Sequence, residues 1–242
     1  MSLLDSWTAG EHTADGTTFP TYRKGNGPGV VLIHEIPGIT PEVVAFAEEV
    51  VGAGFTLVMP HLFGTPGRPL SAGYALSVIP RICVRKEFTT LATGRTSPIA
   101  VWLRDLARTL HEDVGGPGVG ALGMCFTGGF GLAMMVDTAV AAPVVAQPSL
   151  PFAIGRRRSA DLNLSPADLD AVKARAAAGC EVLGLRYRDD PAVGRRFDTL
   201  TRELGSAFLR VELDGKGHST LTEHRDQRAV DRVLAFFAEK LR

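Results

Sequence analysis

Residues 119–136 read VGALGMCFTGGFGLAMMV, an apolar run, a glycine-flanked turn and a second apolar run with almost nothing between them. Val119 to Leu122 reads as a short buried strand, and Phe130 to Val136 as a buried helix. Joining the two so closely requires a sharp strand-to-helix turn. Such a turn holds its central residue in a strained backbone region and stands that side chain clear of the sheet edge. The flanking glycines follow from sterics, because a Cβ there would meet the neighbouring strand or helix. Cys125 occupies the centre. Most free cysteines are small buried packing groups, but packing explains no glycines at Gly123, Gly128 and Gly129. The arrangement predicts an exposed thiol nucleophile. Gly118, Gly120 and Gly123 also spell G-x-G-x-x-G. In a dinucleotide site those glycines follow the strand, and an acidic residue stands about 20 positions on. Here they lie in and before the strand, and Asp137 comes too early.

The rest of the chain supplies a matching frame. Val30 to Ile33 and Phe55 to Met59 are continuous apolar runs, the mark of strands covered on both faces. Val140 to Ala146, Cys180 to Leu185 and Ala207 to Leu213 also read as strands. Between them, Thr40 caps a helix with Pro41 at its first position, and Val43, Val44, Phe46, Ala47 and Val50 form its apolar stripe. Further helices are expected over 99–112, 166–178, 191–204 and 226–241. Strands alternating with helices predict one α/β domain, a mostly parallel, doubly wound sheet with helices on both faces. Residues 1–16 are expected to be peripheral or poorly ordered. Residues 61–97, rich in Gly and Pro, read as an irregular lid or binding loop, and 147–159 as a second loop over the same site.

Lys plus Arg and Asp plus Glu are 26 each in 242 residues, so no basic excess points to nucleic acid or a membrane surface. No positive n-region with an apolar core opens the chain, and no apolar run reaches membrane-spanning length. Cys83, Cys125 and Cys180 are an odd number, far apart, which fits a reduced, cytoplasmic setting.

In a doubly wound sheet the reactive groups gather at the C-terminal ends of the strands. Three such ends offer partners for Cys125: His34-Glu35 after the first buried strand, Asp189-Asp190-Pro191 after 180–185, and Gly217-His218 after 207–213. The order nucleophile, acid, histidine is the one expected on this scaffold. His218 would take and return a proton, and an aspartate would hold its tautomer. Asp190 is preferred to Asp189 because it sits on the loop side of an Asp-Pro helix start. Backbone N–H groups of Phe126 and Ile36 would hold an oxyanion. The six histidines show no metal-ligand spacing, so neither a metal nor an organic cofactor is expected.

GMCFTGG, the His34-Glu35-Ile36-Pro37-Gly38 loop, Asp190 and Gly217-His218 together resemble the dienelactone hydrolase family of α/β hydrolases. The resemblance extends from about residue 17 to the last helix. It implies that Cys125, Asp190 and His218 form a catalytic triad. It further implies that Glu35 lies against the resting thiol and takes its proton when substrate binds. Two positions depart from the family pattern. Thr127 stands where the family has a glycine, and Thr222 stands where a substrate-binding arginine is expected. Arg81, Arg85 or Lys86 in the 61–97 segment would then serve an anionic substrate. The implied activity is hydrolysis of a small ester or lactone by a monomer or homodimer. A general carboxylesterase or thioesterase is the nearest alternative. A binding or redox-sensing module with a reactive Cys125 is the alternative of another class, and a nucleotide-binding protein a third.

Overall fold

The protein, described here from a computed structural model over residues 3–88 and 91–242, alternates strands and helices along most of its length. The strands are β1 (Thr8–Ala14), β2 (Thr17–Lys24), β3 (Gly29–Ile33), β4 (Thr56–Pro60), β5 (Val119–Met124), β6 (Val140–Ala146), β7 (Val182–Tyr187) and β8 (Phe208–Leu213). The helices are α1 (Pro41–Gly52), α2 (Ala72–Cys83), α3 (Ile99–Val114), α4 (Gly128–Met134), α5 (Gly155–Ser159), α6 (Pro166–Ala177), α7 (Arg196–Leu204) and α8 (Gln227–Leu241). One sheet runs β1-β2-β4-β3-β5-β6-β7-β8. β4 to β8 and β3 are parallel, while β1 and β2 form an antiparallel hairpin on one edge.

Period-two burial explains why β3 is apolar throughout. Val30 and Leu32 face one core layer, with Val43 and Phe46 of α1 and Val230 and Phe237 of α8. Val31 and Ile33 face the other, with Trp102 and Leu106 of α3. Both layers exclude water completely at this strand, and each fully buried side chain of this size contributes about 1.5–3 kcal/mol. Thr40 accepts from the Val43 amide and Ser165 from the Asp168 amide at 3.1 Å, so α1 and α6 start where their caps predict.

Three features differ from the sequence-based expectation. Residues 8–14 are an ordered edge strand, turned back at Asp15-Gly16 and paired residue for residue with β2. The strand is mostly exposed and polar, so no apolar alternation marks it. The 61–97 segment is not wholly irregular, because Ser71 caps α2 by accepting from the Tyr74 amide. The 147–159 loop contains α5, and a fully buried arginine holds it. The Arg196 guanidinium donates to the carbonyls of Asp161, Val193 and Arg158 at 2.9–3.0 Å and also to that of Pro151. Burial lowers its pKa to about 10 against the charge of Asp161, and the surrounding carbonyls satisfy its donors.

Candidate active site

The chain leaves β3 for β4 on one side and β5 lies on the other, so β3 and β5 flank the point where strand order reverses. Crevices in such sheets open there. Glu35 follows β3 and Cys125 follows β5. Cys125 has φ +53°, a left-handed conformation costing a non-glycine residue of order 1–3 kcal/mol. Neighbouring structure enforces it. A Cβ on Gly123 would lie 2.1 Å from the Thr127 carbonyl oxygen, and one on Gly131 2.5 Å from that of Val144. Only glycine lets α4 approach the strands this closely.

Cys125, His218 and Glu35 offer a sulfur, a ring nitrogen and a carboxylate oxygen that all lie within 4.8 Å of one another. The His218 ring faces the Cys125 sulfur within 4.8 Å, and its Nδ1 donates to Asp190 Oδ2 at 2.7 Å. Asp190 is buried, and its Oδ1 accepts from the Ala192 amide at 2.9 Å. Asp189 beside it is exposed. Burial of the His218 ring opposes its charging, but the Cys125 sulfur and the Asp190 carboxylate outweigh it and raise its pKa to about 11. The imidazolium is therefore the favoured form of His218 at neutral pH.

Glu35 is buried close to both the sulfur and the His218 ring. Burial pushes its carboxyl above the ordinary range, against the hydroxyls of Thr222 and Ser219, the His218 charge and the Gln147 amide. The Ser219 hydroxyl donates to Oε2 at 2.8 Å and the Thr222 hydroxyl donates to Oε1. Buried Gln147 anchors this loop, since its Oε1 accepts from the Thr220 hydroxyl at 2.8 Å. Neutral hydroxyls thus stand where the sequence led one to expect an arginine. The three clustered ligand atoms are also a donor set that zinc accepts. Sequence spacing misses it because the three come from three separate strand ends.

His34 sets the β3 loop. The Leu62 amide donates to its Nε2 at 3.1 Å, which leaves the Nδ1 hydrogen for the Glu35 carbonyl at 3.1 Å. Burial holds its pKa down to about 3, so the ring stays neutral. Among the described residues, neither the Ile36 nor the Phe126 amide donates to a protein acceptor. Thr127 ties their two loops together. Its buried Oγ1 accepts from the Met124 amide at 3.0 Å and lies 3.0 Å from the Ile33 carbonyl, to which it donates. Thr127→Val keeps the shape and removes this link. It is expected to lower kcat by about tenfold with KM nearly unchanged, and Thr127→Ser to restore it, in steady-state ester hydrolysis.

The sequence model of the dienelactone hydrolase family matches residues 17–175, well over half of the chain. The chain belongs to that family. It is a carboxylic-ester hydrolase of α/β-hydrolase fold acting on small molecules. Among solved structures, this dienelactone hydrolase family member is similar to a dienelactone hydrolase from Anabaena variabilis at 17% identity and TM-score 0.66, covering 98% of each chain. An α/β hydrolase from Penicillium matches at 15% identity and TM-score 0.69, over 97% of this chain and 99% of the other. A cold-adapted esterase from an Arctic intertidal metagenomic library matches at 16% and 0.64, over 97% and 93%. A comparison with curated proteins gives no match. No helix among the described residues is long and apolar enough to cross a membrane.

The structure brings Cys125, His218, Asp190 and Glu35 together and leaves Asp189 outside. Arg81 and Arg85 lie elsewhere. They line a cavity of about 480 Å³ bounded by β2 and residues 61–85, which none of those four residues lines. Contrary to expectation, no residue of 147–159 lines this cavity. Phe63 packs on His34 and Phe126, with ring centroids 4.5 and 5.7 Å away. Space beside Glu35 and Ile36 amounts to about 20 Å³.

Proposed function

We propose that the protein hydrolyses a small carboxylic ester or lactone through an acyl-enzyme on Cys125, with His218, Asp190 and Glu35 as its partners. The observation that carries this reading is the sulfur of a strained elbow residue held against an Asp190-paired histidine. The Cys125 thiolate attacks the acyl carbon, and the carbonyl oxygen becomes an oxyanion held by the Ile36 and Phe126 amides. The C–O bond then breaks, and the His218 imidazolium gives its proton to the departing alkoxide. In the second half, His218 takes a proton from water as that water attacks the thioester. The C–S bond breaks, releasing the carboxylic acid product and restoring the thiolate beside the imidazolium. Asp190 keeps His218 in the tautomer that faces sulfur and stabilises its charge.

Glu35 is a second proton acceptor: where Cys125 is present as the thiol, Glu35 takes the sulfur's proton as substrate binds and so supplies the attacking thiolate. A carboxyl desolvated this far accepts a proton at a pH where an exposed one would not. Below its raised pKa Glu35 is already protonated and cannot serve, so kcat/KM falls as pH falls through that value. Glu35→Gln is expected to lower kcat/KM by about a hundredfold and to erase this acid limb, read from pH profiles of the two proteins. A profile with the limb intact in Glu35→Gln would assign the limb to another group. Phe63, Phe88, Phe126 and Phe130 pack edge to face beside the cysteine, and such walls favour an apolar acyl group. The direct test of the reading is turnover of p-nitrophenyl acetate, with the acyl group followed onto the protein.

A further inference from the structure

We propose that the cavity between β2 and α2 is a binding site for a small anionic molecule with an apolar body, a carboxylate or phosphate carrier, separate from the acyl-transfer site. Its volume of about 480 Å³ lies within the range of pockets that enclose ligands of drug size. Arg68, Arg81, Arg85 and His61 line it, and no carboxylate does. The chain as a whole balances 26 cations with 26 anions, so this wall is a local concentration of positive charge.

Two of the guanidiniums are already positioned. Arg68 lies over the Tyr74 ring at 4.2 Å, and Tyr74 is itself buried and hydrogen-bonded to the Thr65 backbone. Arg85 stacks near Phe19 and Phe88 at 5.4 and 5.5 Å and donates Nη1 to the Leu62 carbonyl at 3.0 Å. One carboxylate approaches it, Glu87 Oε2 at 3.7 Å from Nε, outside the cavity lining. Arg81 has no ion pair among the described residues. Stacked guanidiniums have surrendered part of their rotamer freedom before a ligand arrives, which lowers the cost of forming a two-point contact with a carboxylate or phosphate. Phe19, Val78 and Ile82 supply apolar surface for the remainder of the ligand.

Leu62, just beyond β4, lines this cavity and also touches the loop that carries Glu35. It donates its amide to His34, the residue before Glu35, and accepts from Arg85 at its carbonyl, so one residue links the cavity to the β3 loop. Cys125, His218, Asp190 and Glu35 do not line the cavity. An anion held there therefore binds without competing for the thiol.

The test is isothermal titration calorimetry of 4-phenylbutyrate, its uncharged amide and inorganic phosphate against the full chain, repeated after iodoacetamide alkylation of a Cys83→Ser, Cys180→Ser protein whose one remaining cysteine is Cys125. Saturable binding of 4-phenylbutyrate or phosphate is expected, and the one that binds identifies the head group. Affinity should be unchanged by alkylation. It should fall about tenfold or more in Arg81→Gln and in Arg68→Gln, the loss of one charge-assisted hydrogen bond. Both side chains are exposed, so the substitutions leave the fold intact. The proposal is overturned if neither anion binds, if the amide binds as well as the acid, if alkylation abolishes binding, or if both arginine variants bind like the wild type. Loss on alkylation alone would place the ligand at Cys125 and leave the hydrolase reading untouched.

Discussion

Cys125→Ala is expected to lower the hydrolysis of activated esters by about four to six orders of magnitude, the loss seen when a covalent nucleophile is removed. No other described side chain at the site replaces the sulfur. The Ser219 and Thr222 hydroxyls both donate to Glu35, and Thr127 Oγ1 is committed to the Met124 amide and the Ile33 carbonyl. The fold should survive, because alanine retains the Cβ already tolerated at φ +53°. Circular dichroism and thermal unfolding check that separately from kcat/KM. The variant should also change His218. Its pKa is raised in part by the Cys125 sulfur, so without that sulfur the imidazolium is lost at lower pH. An NMR titration of the His218 ring would read this downward shift. Wild-type turnover in Cys125→Ala would contradict the assignment.

Asp190→Asn is expected to cost about 10⁴ in kcat, while Asp189→Asn stays within a fewfold of wild type. An asparagine keeps the shape of Asp190 but offers an amide that favours the wrong tautomer of His218. The pH dependence has a defined sign. His218 is raised from 6.5 to about 11, so its contribution to stability is full below 6.5 and is lost as pH rises through about 11. Asp190→Asn removes part of that contribution. Its thermal stability should fall furthest below wild type just below pH 6.5, and the gap should narrow as pH rises toward 11. Asp189, exposed and without His218 as partner, should show neither effect. A larger loss in Asp189→Asn than in Asp190→Asn would exchange their roles.

Much of this was legible in the sequence because it is encoded locally. Continuous apolar runs announce strands covered on both faces, Thr40-Pro41 and Ser165-Pro166 announce helix starts, and glycines around Cys125 announce the elbow. The hairpin strand β1 escaped because Thr8–Ala14 is a polar, mostly exposed edge with no apolar alternation. Helix α2 escaped because glycine and proline, Pro80 among them, punctuate its segment. The partners of Glu35 escaped for a different reason. Ser219 and Thr222 are hydroxyl residues of ordinary appearance that meet Glu35 only after more than 180 residues of intervening chain. Thr127, by its departure from the family glycine, was the visible sign of an altered elbow. Its function as a link between β5 and the β3 loop depends on the register between those strands. The cavity likewise joins β2 to α2, two segments whose apposition no sequence pattern records.

The measurement that tests the central claim most directly is the intact mass of the protein quenched during turnover of p-nitrophenyl acetate, followed by peptide mapping. An acetyl adduct on the peptide carrying Cys125, absent in Cys125→Ala and chased by hydrolysis, is the predicted result. Turnover with no adduct at Cys125, or an adduct on another residue that forms and decays at the rate of turnover, would contradict it.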